Sequence, residues 1–369
     1  MADALAQRRL ANFRANRRAV WSLWIFLVLF VLSLLAEFIA NEKPILVSFR
    51  GEYRMPIFSF YSEADYGGEF RAEADYTDPV VACLIATGGV ADLCFDDPEG
   101  VTAAVVAGTF SEEGFERGWA IWPLIPFHFR TSDRNLGAPA PSPPDARHWL
   151  GTDDQARDVA ARVLYGFRIS VFFALIVTGA SAIVGIAAGA VQGYFGGVTD
   201  LVFQRAIEIW QAIPSLYVII IVAAIIPMTF SILTFLLILF SWTALVGVVR
   251  AEFLRGRNFE YVRAARALGV SDGRIMFRHV LPNAAVATLT FMPFLITASI
   301  SSLATLDFLG FGLPPSYPSL GELALQGKNN ITSPWLGLTA FFTFAVMLSL
   351  LVFIFEGIRD AFDPRKTFQ

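Results

Sequence analysis

Charge is scarce in this 369-residue chain: Asp, Glu, Lys and Arg make up 16% of it, against 55% hydrophobic and 14% aromatic residues and a mean hydropathy of +0.56. A soluble globular domain carries about a quarter charged residues, so this balance excludes an ordinary soluble enzyme and points to a membrane protein. Cysteine is scarcer still. Two cysteines exclude a disulfide scaffold, and three histidines, His128, His148 and His279, far apart and near no Cys pair, exclude a metal cluster of familiar spacing. Neither a His-Glu-x-x-His stretch nor a nucleophile elbow occurs. The nearest approach to a phosphate-binding loop, Gly321 to Gly327 followed by Lys328 and Asn329, has five intervening residues where four are needed, and Asn where Ser or Thr would reach magnesium. The expectation is a non-catalytic chain that binds no metal and no cofactor, with any ATP hydrolysis carried by another subunit.

Long uncharged runs are what the chain has instead. Val20 to Ala40 carries one acid, Glu37, while Ile169 to Val191, Ile209 to Val249, Val280 to Leu306 and Asn329 to Phe355 carry none. Roughly 20 apolar residues cross the ~30 Å of hydrocarbon, so the 41 residues of Ile209 to Val249 are two spans, broken at Pro227. This gives six transmembrane helices: 20–41, then about 168–192, 201–226, 229–250, 283–306 and 334–356. The first is an anchor and not a signal peptide, since its core exceeds the usual 7 to 15 residues and no small-x-small cleavage site precedes Asn41.

Charge sign orients these spans. Glu42 to Arg162 holds 20 acids and 10 bases, leaving 12 acids and 18 bases elsewhere, so the formal −4 is a sum of −10 and +6. Arg8, Arg9, Arg14, Arg17 and Arg18 precede the first span, six arginines lie between the fourth and fifth, and Arg359, Arg365 and Lys366 follow the sixth. By the positive-inside rule these segments are cytoplasmic and 42–165 is extracytoplasmic. That stretch is too long for a connector and reads as an inserted domain ending in a Pro-rich linker from Gly137 to Pro144. Cys83 and Cys94 lie in it, on the oxidising side; a bridge is favoured over two free thiols.

Ser181, Gly185, Gly189, Gly193 and Gly197 recur every fourth residue in the second span, a small-residue stripe read as helix packing. Asp153, Asp154 and Asp158 before that span suit a helix N-terminus better than a cation site. Arg205 and Glu208, three apart in the third span, can pair on one helix face; a pathway or gate contact and a structural ion pair are equally open, with Pro214 close by.

Between the fourth and fifth spans, segment 251–282 contains FEYVRAARALGVSDGRIMFRHVLPN, from Phe259 to Asn283. Tyr261 to Leu268 favours helix, Gly269 a C-terminal cap, and Ser271 or Asp272 the start of a second short helix running to Leu281 and Pro282. Its Ala264, Ala265, Gly269, Leu281 and Pro282 resemble the EAA loop of importer permeases of the ATP-binding-cassette superfamily, although Arg263 stands where the family has Glu. HWLGTDDQARDVAARVLYGFRIS from His148, the set Asp200, Arg205, Glu208 and Pro214, and LDFLGFGLPPSYPSLGE from Leu306 to Glu322 are similar to dipeptide and oligopeptide permeases of the OppC and DppC kind. The stretch from about Val80 to Trp119 looks inserted relative to that pattern.

The resemblance implies an all-α, type I importer permease in the bacterial inner membrane, with a basic cytoplasmic N-terminus at 1–19, a core at 166–358 and a cytoplasmic tail at 359–369. It implies that Tyr261, Arg263, Ala264, Ala265, Gly269, Ser271, Leu281 and Pro282 meet an ATPase with two nucleotide-binding domains, which uses ATP and Mg. It implies a second, similar permease as heterodimer partner and a periplasmic peptide-binding protein, met by the insert and by loop 307–333, with Asp307, Phe311, Tyr317 and Glu322 as docking candidates. The cargo implied is peptide, including microcin C-like conjugates. The alternative is an autonomous secondary transporter or channel; the ion-coupling acids and inverted repeats expected of one are not seen in spans two, four and six.

Overall fold

The computed structural model describes residues 2–112 and 115–362. The chain forms two compact units, one of residues 1–30 and 166–369, the other of residues 31–165. Among the described residues five helices are long and apolar enough to cross a membrane: Arg17–Leu34, Val159–Phe195, Phe230–Gly256, Asp272–Phe308 and Pro334–Phe362. Gly197–Gln211 and Ser215–Ile225, which meet at a 59° bend, are together apolar and long enough for a sixth crossing if the bent pair is one span.

That bend divides the third span, placed at about 201–226 above, into two helices. Pro214 has no N–H to continue the ladder and adopts an extended ψ of 101°, so helix restarts at Ser215. The turn at Pro227 is where the sequence places it: Ile226 is extended and the Thr229 hydroxyl caps the helix that begins at Phe230.

In the larger unit the small-residue stripe is a packing seam. A Cβ on Gly185, Gly189 or Gly193 would lie 2.5, 2.7 or 2.5 Å from the carbonyl oxygens of Trp242, Val246 and Arg250, so the second and fourth spans touch backbone to backbone. Ser181 continues the seam through a 3.0 Å contact with the Ser241 hydroxyl. Gly197 leaves it, with φ +56° and open space around it. The N-terminal helix Ala2–Ala15 lies against the last span, where Arg9 sits 4.5 Å over the Phe362 ring.

The smaller unit corrects the all-α expectation. Leu46–Phe49 pairs antiparallel with Glu52–Arg54 on one side and Trp119–Ile121 on the other. Its alternating burial, with Val47 and Phe49 inward, is the period of a half-buried strand. Helix Pro79–Thr87 packs on the sheet, and Ala91–Asp96 and Pro98–Ala107 pack against that helix. Asp78 and Asp97 cap the first and third through backbone N–H groups of Val80 and Gly100, and each also has Pro at its start. Cys83 and Cys94, both fully buried, form a disulfide with Cα atoms 5.7 Å apart, tying the first helix to the second. Around it lie Val47, Phe49, Tyr66, Tyr76, Val81 and Leu84.

Candidate functional site

The loop between the fourth and fifth spans is built on Glu260–Ala267, a two-turn helix. Val262 and Ala265, three apart, are its buried face and pack with Phe253, Ile275 and Val280. The helix ends as the sequence predicts. Gly269 takes φ +79°, its N–H donates to the Arg266 carbonyl and the N–H of Val270 donates to the Ala265 carbonyl, the paired bonds of a Schellman cap. Ser271 starts the next helix without a side-chain cap bond.

That next helix does not stop at Leu281 and Pro282, as expected above, but runs into the fifth span as one element, Asp272–Phe308. Residues Met276–Val280 form a widened, π-type turn. Pro282 cannot donate to the Arg278 carbonyl and its ring would crowd it, which a widened turn relieves. Tyr261 pins the loop to this junction: its hydroxyl donates to the His279 carbonyl at 3.3 Å and accepts from the Asn283 amide at 2.9 Å.

On the opposite flank the loop leans on the ends of the second and fourth spans. The Tyr194 hydroxyl donates to Asp272 at 2.5 Å, Arg266 stacks 5.4 Å over the Tyr194 ring, and Arg257 donates to the Tyr194 carbonyl at 3.3 Å. These residues, with Asn258, Gly269 and Ser271, line an open pocket of about 630 Å³. Arg263 and Ala264 face outward. So do Leu268, 84% exposed, and Phe277, 73% exposed. Sequence reasoning passed over both: Leu268 continues the three-residue spacing of Val262 and Ala265 and would be buried were the helix to go on, but the chain turns at Gly269.

In the broken span, Asp200 accepts two hydrogen bonds from Arg250, of 2.5 and 2.6 Å, joining it to the fourth span. Arg205 and Glu208 pair at 2.7 Å, with side chains 78% and 46% exposed, about two turns before the Pro214 bend.

Loop 307–333 is arranged otherwise than its docking assignment required. Asp307 is 4% exposed and Glu322 8%. Asp307 accepts from the Leu313 N–H at 2.7 Å and from the Ser319 hydroxyl, while Glu322 accepts from Gln326 at 3.1 Å. These two acids hold the loop together and present no contact surface. Phe311 is half-buried and Tyr317 packs on the Phe173 and Leu303 cluster, while Pro315 and Ser316 form one exposed tip and Ile331, 85% exposed, another.

The smaller unit holds a buried polar cluster that the scattered histidines did not announce. His148, 1% exposed, lies between Asp158 at 2.8 Å from Nδ1 and Asp133 at 3.2 Å from Nε2. Burial opposes a charged ring, but the hydrogen bonds and charges of the two carboxylates outweigh it and raise the pKa. Asp158 also caps the second span through the Ala161 N–H at 2.7 Å, as a helix-terminus role requires, whereas Asp153 binds the Arg157 side chain at 2.6 Å ahead of the helix. No group of three or more metal-ligating side chains occurs among the described residues. A charged groove of about 1190 Å³ in this unit is lined by Glu73, Asp75, Arg130, Arg134 and Arg147, among others.

Residues 182–368, with the pocket, the loop and the broken span, match the family described as binding-protein-dependent transport system inner membrane component. The chain belongs to this family. Residues 5–53 match the N-terminal transmembrane domain of oligopeptide transport permease C. The chain is 52% identical to the peptidoglycan transport system permease protein YejE of Agrobacterium fabrum, over 98% of this chain and 94% of that one. It is 51% identical to the inner membrane ABC transporter permease protein YejE of Escherichia coli, over 98% and 97%. It is 33% identical to the oligopeptide transport system permease protein OppC of Bacillus subtilis, over 61% and 74%. A family member of this kind is a multi-pass inner-membrane component without catalytic activity, working with a partner permease and a separate ATPase.

Proposed function

We propose that this chain is one of two permeases in an ATP-driven peptide importer and that its cytoplasmic loop, centred on Gly269, is the handle through which the ATPase moves the spans. The observation that carries the reading is the anchorage of the loop. Leu268 and Arg263 face outward, while Tyr261, Asp272 and Arg257 tie the inner side to the bases of the second, fourth and fifth spans. Force applied to such a loop reaches three helices without bending it. The names of the oligopeptide and dipeptide permease relatives support peptide as cargo, and microcin C-like peptide conjugates are part of this reading.

The partners of this reading are a second permease of YejB type, an ATPase of YejF type with two nucleotide-binding domains, and a periplasmic peptide-binding protein of YejA type. Both termini are cytoplasmic, and the unit of residues 31–165 lies on the extracytoplasmic side as an inserted domain. The exposed pair Arg205 and Glu208, on a span where lipid would be a costly neighbour, faces the second permease or the water-filled path, and the Pro214 bend opens that path. The binding protein meets the Pro315–Ser316 tip and the charged groove of the inserted domain.

The test is to purify the tagged chain from its native membrane in mild detergent and identify its companions by mass spectrometry. A second permease and an ATPase are expected, with the ATPase lost from a Gly269→Lys variant that still inserts and still holds its partner permease. Recovery of the chain alone, folded and across several detergents, would overturn the reading.

A further inference from the structure

The smaller unit carries a hydrophobic collar whose depth is set by the end of the first span. From Val20 to Phe38 is about 27 Å at 1.5 Å per residue, close to the ~30 Å hydrocarbon thickness, so Phe38 stands where the span leaves the acyl layer. The Phe58 ring packs on the Phe38 ring, with centroids 5.6 Å apart. Phe58 belongs to a tight turn in which its N–H and that of Ser59 donate to the Met55 carbonyl, so Met55 lies beside it and Phe60 follows two residues on. On the same span end, the Ile125 N–H donates to the Ile39 carbonyl and the Asn41 N–H to the Ile125 carbonyl, which fixes Leu124 at that depth as well. Tyr165 in the second span donates to the Ala40 carbonyl at 3.0 Å, so two span ends share this level.

The side chains so placed are large, apolar and uncovered. Met55, Phe58, Phe60 and Leu124 are 49%, 69%, 64% and 68% exposed. Their surface is continuous with the apolar flank of the span through Leu34, Leu35 and Phe38, themselves about two-fifths exposed. An apolar surface that continues a lipid-facing helix at the depth of the headgroups has lipid as its natural neighbour.

We propose that Met55, Phe58, Phe60 and Leu124 insert into the interfacial layer of the membrane leaflet at the outer end of the first span, seating the inserted domain on lipid. The leaflet's identity rests on the orientation given under Proposed function; insertion itself does not.

Phe58→Cys and Leu124→Cys variants of the full chain, labelled with an NBD fluorophore with the Cys83–Cys94 bridge left oxidised, test this in phosphatidylethanolamine–phosphatidylglycerol vesicles. Lipid carrying a nitroxide at carbon 5 of the acyl chain is expected to cut the emission at both positions by about half or more, for a side chain ~5–10 Å into the boundary. Aqueous iodide is expected to quench both far less than the free dye. Iodide quenching equal to the free dye, without nitroxide quenching, would place the collar in water and overturn the proposal. Shielding from both quenchers would show a protein cover, such as the second permease, and would overturn it too. Orientation is read separately: a Val106→Cys variant that reacts with a membrane-impermeant maleimide only in inverted vesicles would refute the extracytoplasmic placement while leaving collar insertion to be judged on the quenching.

Discussion

Gly193 is the sharpest point at which to test the seam between the second and fourth spans. A Cβ there would sit 2.5 Å from the Arg250 carbonyl oxygen and 2.6 Å from the Phe253 Cβ. An ordinary C···O approach is about 3.3 Å or longer, so Gly193→Ala forces the helices apart by some tenths of an ångström or bends one of them. Overpacking of this kind costs about 1–3 kcal/mol. Against it stands the ~0.5–1 kcal/mol that Ala gains over Gly inside a helix. The expected balance is a loss of about 1–2 kcal/mol. Gly179 supplies the control, since it lies in the same helix with nothing within 4 Å of its would-be Cβ. Gly179→Ala should therefore show the propensity gain alone. The assay is thermal unfolding of the full detergent-solubilised chain followed by size-exclusion chromatography, with both variants and the parent in one detergent. A midpoint for Gly193→Ala at or above that of Gly179→Ala would refute the close-packing argument, because the two differ only in what the new methyl meets.

Gly269→Ala should cost about 1–2 kcal/mol through its φ of +79° and not through a clash, since open space surrounds it; Gly269→Asn, which tolerates that conformation, should restore most of the lost peptide uptake, and equal losses in the two variants would count against the strain argument. Replacing Cys83 and Cys94 by Ala removes a bridge over a separation of 11 residues and should lower the stability of the smaller unit by about 3 kcal/mol, seen as faster proteolysis within residues 31–165; unchanged cleavage would contradict it. His148 has a raised pKa, so its contribution to stability is complete below the ordinary value near 6.5 and is lost as pH rises through the higher folded value. Hydrogen-exchange protection factors, with the base-catalysed intrinsic rate divided out, should fall over that rise for the segments around Asp133, Asp145 and Asp158 in the parent and not in His148→Gln, and a fall in stability towards low pH would reverse the sign of the argument.

How much of this was legible in the sequence follows from how local each signal is. Spans were legible because the membrane imposes about 20 apolar residues, and Gly269 was legible because a positive φ at a helix end selects glycine. The Pro214 bend was missed although its proline was noted, since a proline inside an apolar run can kink a span or end it, and only the path of the chain decides. Burial of Asp307 and Glu322 was illegible for a different reason. A carboxylate in a Gly- and Pro-rich loop looks exposed until the Leu313 N–H and the Ser319 hydroxyl, 6 and 12 residues away, fold back onto it. His148 likewise meets Asp133 and Asp158 from 15 and 10 residues off, a closure with no periodic trace. The sheet escaped notice because its strands are three or four residues long and the third lies some seventy residues after the first two.

The same contrast explains how the chain can transmit motion. Helix-to-helix contact along Gly185, Gly189 and Gly193 makes the second and fourth spans a single block, and the paired hydrogen bonds between Arg250 and Asp200 bring the first half of the broken span into it. The loop joins this block through Tyr194 and Arg257, and reaches the fifth span through Tyr261 and the junction at Met276–Val280. Among the described residues these connections depart from regular helix at the widened turn before Pro282, at the bend at Pro214, at Gly196 and Gly197, at Trp242 and at Pro293. The widened turn is the one of these that lies directly between the loop and the fifth span, and is where a displacement of the loop is first taken up. Relieving the widened turn with Pro282→Ala should stiffen the connection, raising thermal stability while slowing peptide uptake. Faster uptake with raised stability would show that the turn is not where the motion is taken up.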